Sequence, residues 1–208
     1  MRDPEMRLRK SAHPDGRDWR PLRAADMGRV QAISELIHPA LPERLEVLDE
    51  KRRLSPGTCL GYGGEEIQGY GIAQPWLFGR IPALDGFLDG LPPEPDCLFV
   101  HDVALLPHAR GRGAAARYIR LLSDLAHDAG LQGLACVAVY GAESLWSQLG
   151  FEVVADRDLA ANLLPYGGAL YMIRRFGRQA SMMSDRSSGA GRSTRPPWAK
   201  SVRQTSRR

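Results

Sequence analysis

Hydrophobic positions between about residues 18 and 177 follow two rhythms, and the switches between them predict the elements. Asp26 can begin a helix whose apolar positions Met27, Val30, Ile33 and Ile37 recur every three or four residues. A second helical stretch is expected over about 42–54. A third covers about 112–129, with Ala115, Tyr118, Ile119, Leu122, Leu125, Ala126 and Ala129 on one face and Gly130 as a left-handed cap. Strand patterning is expected at 19–23, and 58–61 with 67–73 flank the turn Gly63-Gly64-Glu65-Glu66 as a hairpin. Residues 98–106 read as a strand. Residues 134–139 are almost wholly apolar, as in a strand covered on both faces. A short helix at 142–149 closes on Gly150. Strands at 151–155 and 169–176 follow, the second after the turn Tyr166-Gly167-Gly168. No internal repeat is present.

Both ends depart from this pattern. Residues 1–17 are polar, with Pro4, Pro14 and Gly16, and are expected to be a disordered lead. Residues 178–208 are rich in Ser, Arg, Gly and Pro and are expected to form a disordered basic tail, because they cannot bury enough apolar surface to order themselves. The remaining span, 18–177, is long enough for one domain with a real core.

Charge follows the same division. The formal net charge is +4, but 178–208 hold eight Lys/Arg against one Asp, which leaves residues 1–177 at −3. The basic pI of 9.2 is therefore a property of the tail and does not argue for a nucleic-acid-binding fold. Contacts with nucleic acid are expected only as weak electrostatic ones from that tail. No run approaches the roughly 18 apolar residues of a membrane span, and the charged start lacks a signal-peptide core. Cys59, Cys97 and Cys136 are odd in number and lack metal-ligand spacing, so a reduced, cytoplasmic protein without a metal is expected.

The candidate chemistry lies where the strand at 98–106 feeds Arg110-Gly111-Arg112-Gly113-Ala114-Ala115 and a helix begins. Backbone N–H groups at such a turn, the helix dipole and small side chains together favour a phosphate. The turn is not a P-loop, since no Gly-Lys-Ser/Thr follows, and it lacks the third glycine of a dinucleotide fingerprint. A plain tight turn is the competing reading.

The pattern Arg-x-x-Gly-x-Ala between strand and helix resembles the coenzyme loop of the GCN5-related N-acetyltransferases (GNAT). Ala142-Glu-Ser-Leu-Trp146-Ser-Gln-Leu-Gly150-Phe151 resembles that family's second signature, one helix and one strand further on. The resemblance covers about 18–177. It implies an α/β (α+β) fold with a mixed, mostly antiparallel, twisted sheet of about six to seven strands flanked by helices, whose central strand pair is splayed. It implies acetyl-CoA as co-substrate. Backbone at Val103 and Leu105 would pair with the pantetheine arm, amides from Arg110 to Ala115 would hold the pyrophosphate, Arg112 would add charge and Arg110 would brace the turn. It implies an N-acetyltransferase acting on an amine of a small molecule or peptide, and possible homodimers. A non-catalytic acyl-CoA-binding module is the alternative.

Proton transfer has three candidates. Asp102 matches a position where the family often has an acid. His101 is the second, because an imidazole is a residue type suited to a base near neutral pH. Strict alternation would send these two side chains to opposite faces. Tyr140 is a phenol near the family's usual general-acid tyrosine, whose place is taken here by Trp146. An indole N–H is a donor but not a usable acid, so Trp146 is expected to be a wall of the thioester region. The family's frequent asparagine is replaced by Val139. Tyr166 and Tyr171 are further phenols that a folded-over last hairpin would bring to the opening. Residues 76–96 form a long connection with Pro82, Pro92, Pro93 and Pro95, and its acids Asp85, Asp89, Glu94 and Asp96 would attract a cationic amine if they bordered the opening.

Overall fold

The computed structural model describes residues 18–177; the expected lead and tail lie outside the described residues. Seven strands form one sheet: β1 (Asp18–Pro21), β2 (Leu60–Gly63), β3 (Ile67–Trp76), β4 (Cys97–Leu105), β5 (Gly133–Ala138), β6 (Glu152–Val153) and β7 (Leu170–Arg175). Their spatial order is β1-β2-β3-β4-β5-β7-β6. Every neighbouring pair is antiparallel except β4 and β5, which run parallel and need a crossover between them. That crossover is a helix, α3 (Ala114–Asp128). The expected mixed, mostly antiparallel sheet flanked by helices is the observed one.

Side-chain alternation along the strands assigns the layers. Leu98, Val100, Leu134, Cys136 and Met172 pack on Tyr118, Ile119, Leu122 and Ala126 of α3, together with Trp19 and Tyr62. On the opposite face Ile67, Tyr70, Ile72 and Ala104 meet α1 (Met27–Ile37) and Leu48 of α2 (Leu45–Leu54). Phe99, Ala135 and Tyr171 on that face are covered by Leu159 of α5 (Arg157–Leu163) and by Phe78 and Ile81 of the 77–96 connection. Residues 134–136 are fully buried, as their unbroken apolar run requires.

Several boundaries move. The first strand runs over Asp18–Pro21, beginning and ending earlier than 19–23, although the Leu22 N–H still bonds to Cys59 O at 3.0 Å. The second helix starts at Leu45 and not near Pro42. The strand expected at 151–155 shortens to two residues. The helix α5 was not expected; its start is marked by Asp156, whose side chain accepts from the Asp158 N–H at 2.8 Å.

Candidate active site

One extra residue in β4 creates the opening. Opposite Ile72 lies Asp102 and opposite Ala73 lies Val100, so His101 is bulged out of register. β4 stays paired with β5 only from Cys97–Val100 against Gly133–Cys136. Past the bulge the two parallel strands part, and a cleft of about 920 Å³ opens between them. The bulge also overturns the expectation from strict alternation. Before it, Phe99 faces α5; after it, Ala104 faces α1; His101 and Asp102 lie between them on that same face. Both line the cleft.

The glycine turn closes one end of this cleft. Gly111 and Gly113 have φ of 74° and 69°, values an L side chain resists. Gly113 is the N-cap of α3 and offers no side chain to its first N–H groups, which remain available to an outside acceptor. Arg110 donates from Nε to Leu105 O at 2.9 Å and ties the turn to the end of β4. Arg117 donates to Arg112 O at 2.7 Å and to the Tyr62 hydroxyl at 3.2 Å. The Leu106 N–H bonds to Gln68 O at 2.9 Å, so antiparallel alternation turns the backbone groups of Val103 and Leu105 away from β3, toward the open side.

The other end holds two histidines, each set against a carboxylate. His101 Nε2 lies 2.8 and 3.0 Å from the two oxygens of Glu43, and Glu43 is in turn 3.5 Å from Lys51 Nζ. All three are deeply buried: side-chain exposures are 3% for His101, 8% for Glu43 and 0% for Lys51. Burial pushes the Glu43 carboxyl up, but His101 and then Lys51 outweigh it and hold it at about 2. Burial also lowers the Lys51 ammonium, and Glu43 offsets this only in part. Lys51 donates to Gly86 O at 3.2 Å as well. The second histidine, His38, follows α1 and places Nε2 2.9 Å from Asp102 Oδ1, an ion pair at bent geometry. Tyr70 donates its hydroxyl to Asp102 Oδ2. Burial drives the Tyr70 phenol far above its usual value, and Asp102 adds to that. For His38, burial works downward, but Asp102 and the more distant Glu43 raise it on balance.

Among the predicted residues, His101, Asp102, Val103, Leu105, Arg110, Gly111, Gly113, Ala114, Ala115, Tyr140 and Trp146 border the cleft. Arg112 does not line it; its carbonyl is held by Arg117. Trp146 belongs to α4 (Glu143–Gln148) and packs edge-on against Phe151, ring centroids 5.1 Å apart. Tyr140, 56% exposed with φ of 54°, stacks on His38 at 5.7 Å. Tyr166 lines the cleft with its hydroxyl donated to Pro82 O, whereas Tyr171 lies outside it and accepts from the Gly79 N–H. Glu43, Lys51, His38 and Tyr70 were not expected. Glu43 meets His101 across 58 positions of sequence, a distance no local pattern spans.

The acids of the 76–96 connection are not a free cationic trap. Asp85 accepts from the Arg44 backbone N–H at 2.7 Å and from its Nε at 2.8 Å, and Asp96 accepts from the Phe78 N–H at 2.7 Å. Glu50 of α2 takes the N–H groups of Leu88 and Asp89. Leu84 is what this connection gives to the cleft wall. All three cysteines are buried thiols outside the cleft lining. Among the described residues there is no cluster of metal-ligating side chains and no helix long and apolar enough to cross a membrane.

A sheet that splits beside a glycine turn at a helix N-terminus matches a known family. The family model described as acetyltransferase (GNAT) covers residues 29–151, more than half of the chain. This protein belongs to the GNAT acetyltransferases. Solved structures with the same fold include the NatC complex bound to Gag peptide and CoA, at 11% identity and a TM-score of 0.58 over 77% of this chain and 99% of that one. N-acetylglutamate synthase from Neisseria gonorrhoeae, complexed with coenzyme A and N-acetyl-glutamate, superposes with a TM-score of 0.59 at 15% identity, over 78% of this chain and 35% of that one. Rv2747 from Mycobacterium tuberculosis, in complex with CoA and NLQ, gives 0.56 at 15% identity over 76% and 99%. No curated protein matches the sequence of this acetyltransferase significantly.

Proposed function

We propose that this acetyltransferase moves the acetyl group of acetyl-CoA to the nitrogen of an amine carried on an apolar body. The observation that carries the reading is the continuity of the cleft, which runs from the uncapped N-terminus of α3, along the parted edge of β4, to the His101–Glu43 pair. The amides around Gly111 and Gly113 suit a pyrophosphate. The outward backbone groups of Val103 and the N–H of Leu105, whose carbonyl is held by Arg110, suit the amides of a pantetheine arm, which would lie against β4 as an added strand. Trp146 walls the region between the turn and the reacting end.

Acetyl transfer to an amine needs a base and a proton donor, with no covalent enzyme intermediate, because the thioester is already activated. The amine nitrogen bonds to the acetyl carbon and gives up one proton. The carbon–sulfur bond breaks, and the sulfur takes one proton. His101 fits the base. Its Nε2–H is engaged by Glu43, which leaves Nδ1 as the acceptor nitrogen, and Nδ1 has no partner among the described residues. Glu43 fixes the ring, and Lys51 fixes Glu43.

The acceptor follows from the walls. Ile37, Leu41, Leu84 and Phe99 give the amine end an apolar lining, and its two carboxylates are already engaged by histidines. An aryl- or alkylamine suits this better than a polyamine. The test is calorimetry with acetyl-CoA, followed by initial rates of CoA release with amines matched in size, such as phenethylamine, phenylalanine and spermidine. Micromolar binding and turnover that favours phenethylamine are expected. Tight binding without turnover of any amine would point to a coenzyme-binding module; no binding would reject both.

A further inference from the structure

The departing sulfur needs a proton, and the indole of Trp146 cannot release one. We propose that His38 is the proton donor of this site and that Asp102 is the positioning residue that holds it charged. The inference rests on the acetyl-transfer reading above.

Four observations place His38 in that role. It lines the cleft directly after α1, on the side where β4 has left β5. Its ring bridges that gap. Nε2 is 2.9 Å from Asp102 on β4, and the ring plane lies within 10° of Tyr140, two residues beyond β5. The thioester of a coenzyme lying along β4 would reach the same gap. His38 Nδ1 is buried and makes no hydrogen bond among the described residues, so it is the ring nitrogen not set against Asp102.

The two histidines also differ in what neutralises their carboxylates. Glu43 shares its charge between His101 and the ammonium of Lys51. Asp102 meets His38 and the neutral phenol of Tyr70. Its full charge is therefore left to stabilise an imidazolium at His38. The other groups that act on His38 are Glu43, which works in the same direction, Arg110, which opposes it, and the stacked phenol of Tyr140. The division of labour balances. His101 takes one proton from the amine nitrogen as the carbon–nitrogen bond forms, and His38 gives one to the sulfur as the carbon–sulfur bond breaks. Solvent then restores both rings.

Two measurements on the full chain test this. The first needs no coenzyme: imidazole NMR titration, with His38 assigned by its loss in His38→Gln. Asp102→Asn is expected to lower the His38 midpoint by a pH unit or more, a tenfold loss of proton affinity; an unmoved midpoint overturns the proposal. The second is the pH profile of kcat. His38→Gln, a change at the end of a helix, is expected to cut kcat about 100-fold near neutrality, to remove the alkaline limb and to leave acetyl-CoA affinity within twofold. Retention of both kcat and that limb overturns the proposal. Failure of the wild type to bind acetyl-CoA would instead strike the acetyl-transfer reading, with the titration still reporting on the His38–Asp102 pair.

Discussion

The glycine turn permits a matched pair of substitutions that separates backbone cost from binding. Gly113 and Gly130 flank the same helix, with φ of 69° and 74°. A Cβ at Gly113 would meet nothing nearer than Arg117 Nη1 at 3.9 Å, and one at Gly130 would meet nothing within 4 Å. An alanine at either position therefore pays for its left-handed backbone and for little else, about 1–2 kcal/mol. Part of that cost is returned by a stiffer unfolded chain, leaving about 1 kcal/mol. Both variants should melt about 2–4 °C below wild type by circular dichroism. Only Gly113→Ala places a methyl group where an anion must approach the first amides of α3. Losing one hydrogen bond to a charged phosphate oxygen costs about 1.5–3 kcal/mol, which is about 10- to 100-fold in the acetyl-CoA dissociation constant by calorimetry. Gly130→Ala should bind as wild type does. Equal affinities in the two variants would refute the phosphate assignment, whatever the melting curves show.

Other consequences are direct. His101→Gln should lower kcat by about 10²–10⁴-fold while calorimetry finds acetyl-CoA affinity unchanged; a parallel loss of binding would mean that the bulge itself had moved. Glu43 is held at about 2 from an ordinary 4.5, so its stabilisation is complete above pH 4.5 and is lost as the pH falls toward 2. That is on the order of 3 kcal/mol, and urea melts of Glu43→Gln should show a shallower loss over this window than wild type. Tyr118 donates its hydroxyl to Thr58 O at 2.7 Å within the core, so Tyr118→Phe should cost about 1–3 kcal/mol in denaturant midpoint analysis; a neutral result would mean that water replaces the phenol.

Much of this molecule was readable from local pattern. The strand at β4, the glycine turn, the periodicity of α3 and the unbroken apolar run of β5 each depend on neighbours in sequence, and each stands within a few residues of its expected place. Long-range contacts were not readable. Glu43 and Lys51 sit in an ordinary polar stretch, and only the tertiary fold brings His101 of β4 to Glu43, which Lys51 holds from its other side. α5 escaped notice because seven residues with two leucines give little periodicity, and Asp156 was its one clear start signal. The acids of the 76–96 connection misled because composition shows charge without its partner; Arg44, 41 positions before Asp85, was invisible.

The bulge left a trace in the sequence, two adjacent polar residues within an apolar strand, and it carries the last prediction. Val103 and Leu105 pack with the α3 side of the core, while Ala104 and Leu106 pack with the α1 side. Before His101 the parity is reversed, since Leu98 and Val100 face α3. His101 is the residue that reconciles the two halves. Its deletion would force one half to slip by one position and turn every side chain to the wrong face. If the second half slips, Asp102 loses His38 and Tyr70 and enters the apolar layer around Tyr118. Burying that carboxylate unpaired costs at least several kcal/mol, which is comparable with the whole stability of a domain, about 5–15 kcal/mol. If the first half slips, Phe99 must enter the space of Val100 against α3. Deletion of His101 should therefore abolish cooperative melting by near-ultraviolet circular dichroism, whereas His101→Gln retains it and loses only turnover. A deletion variant that melts cooperatively near the wild-type temperature would show that β4 can close its register without an extra residue, and the account of why the sheet parts at this point would fall with it.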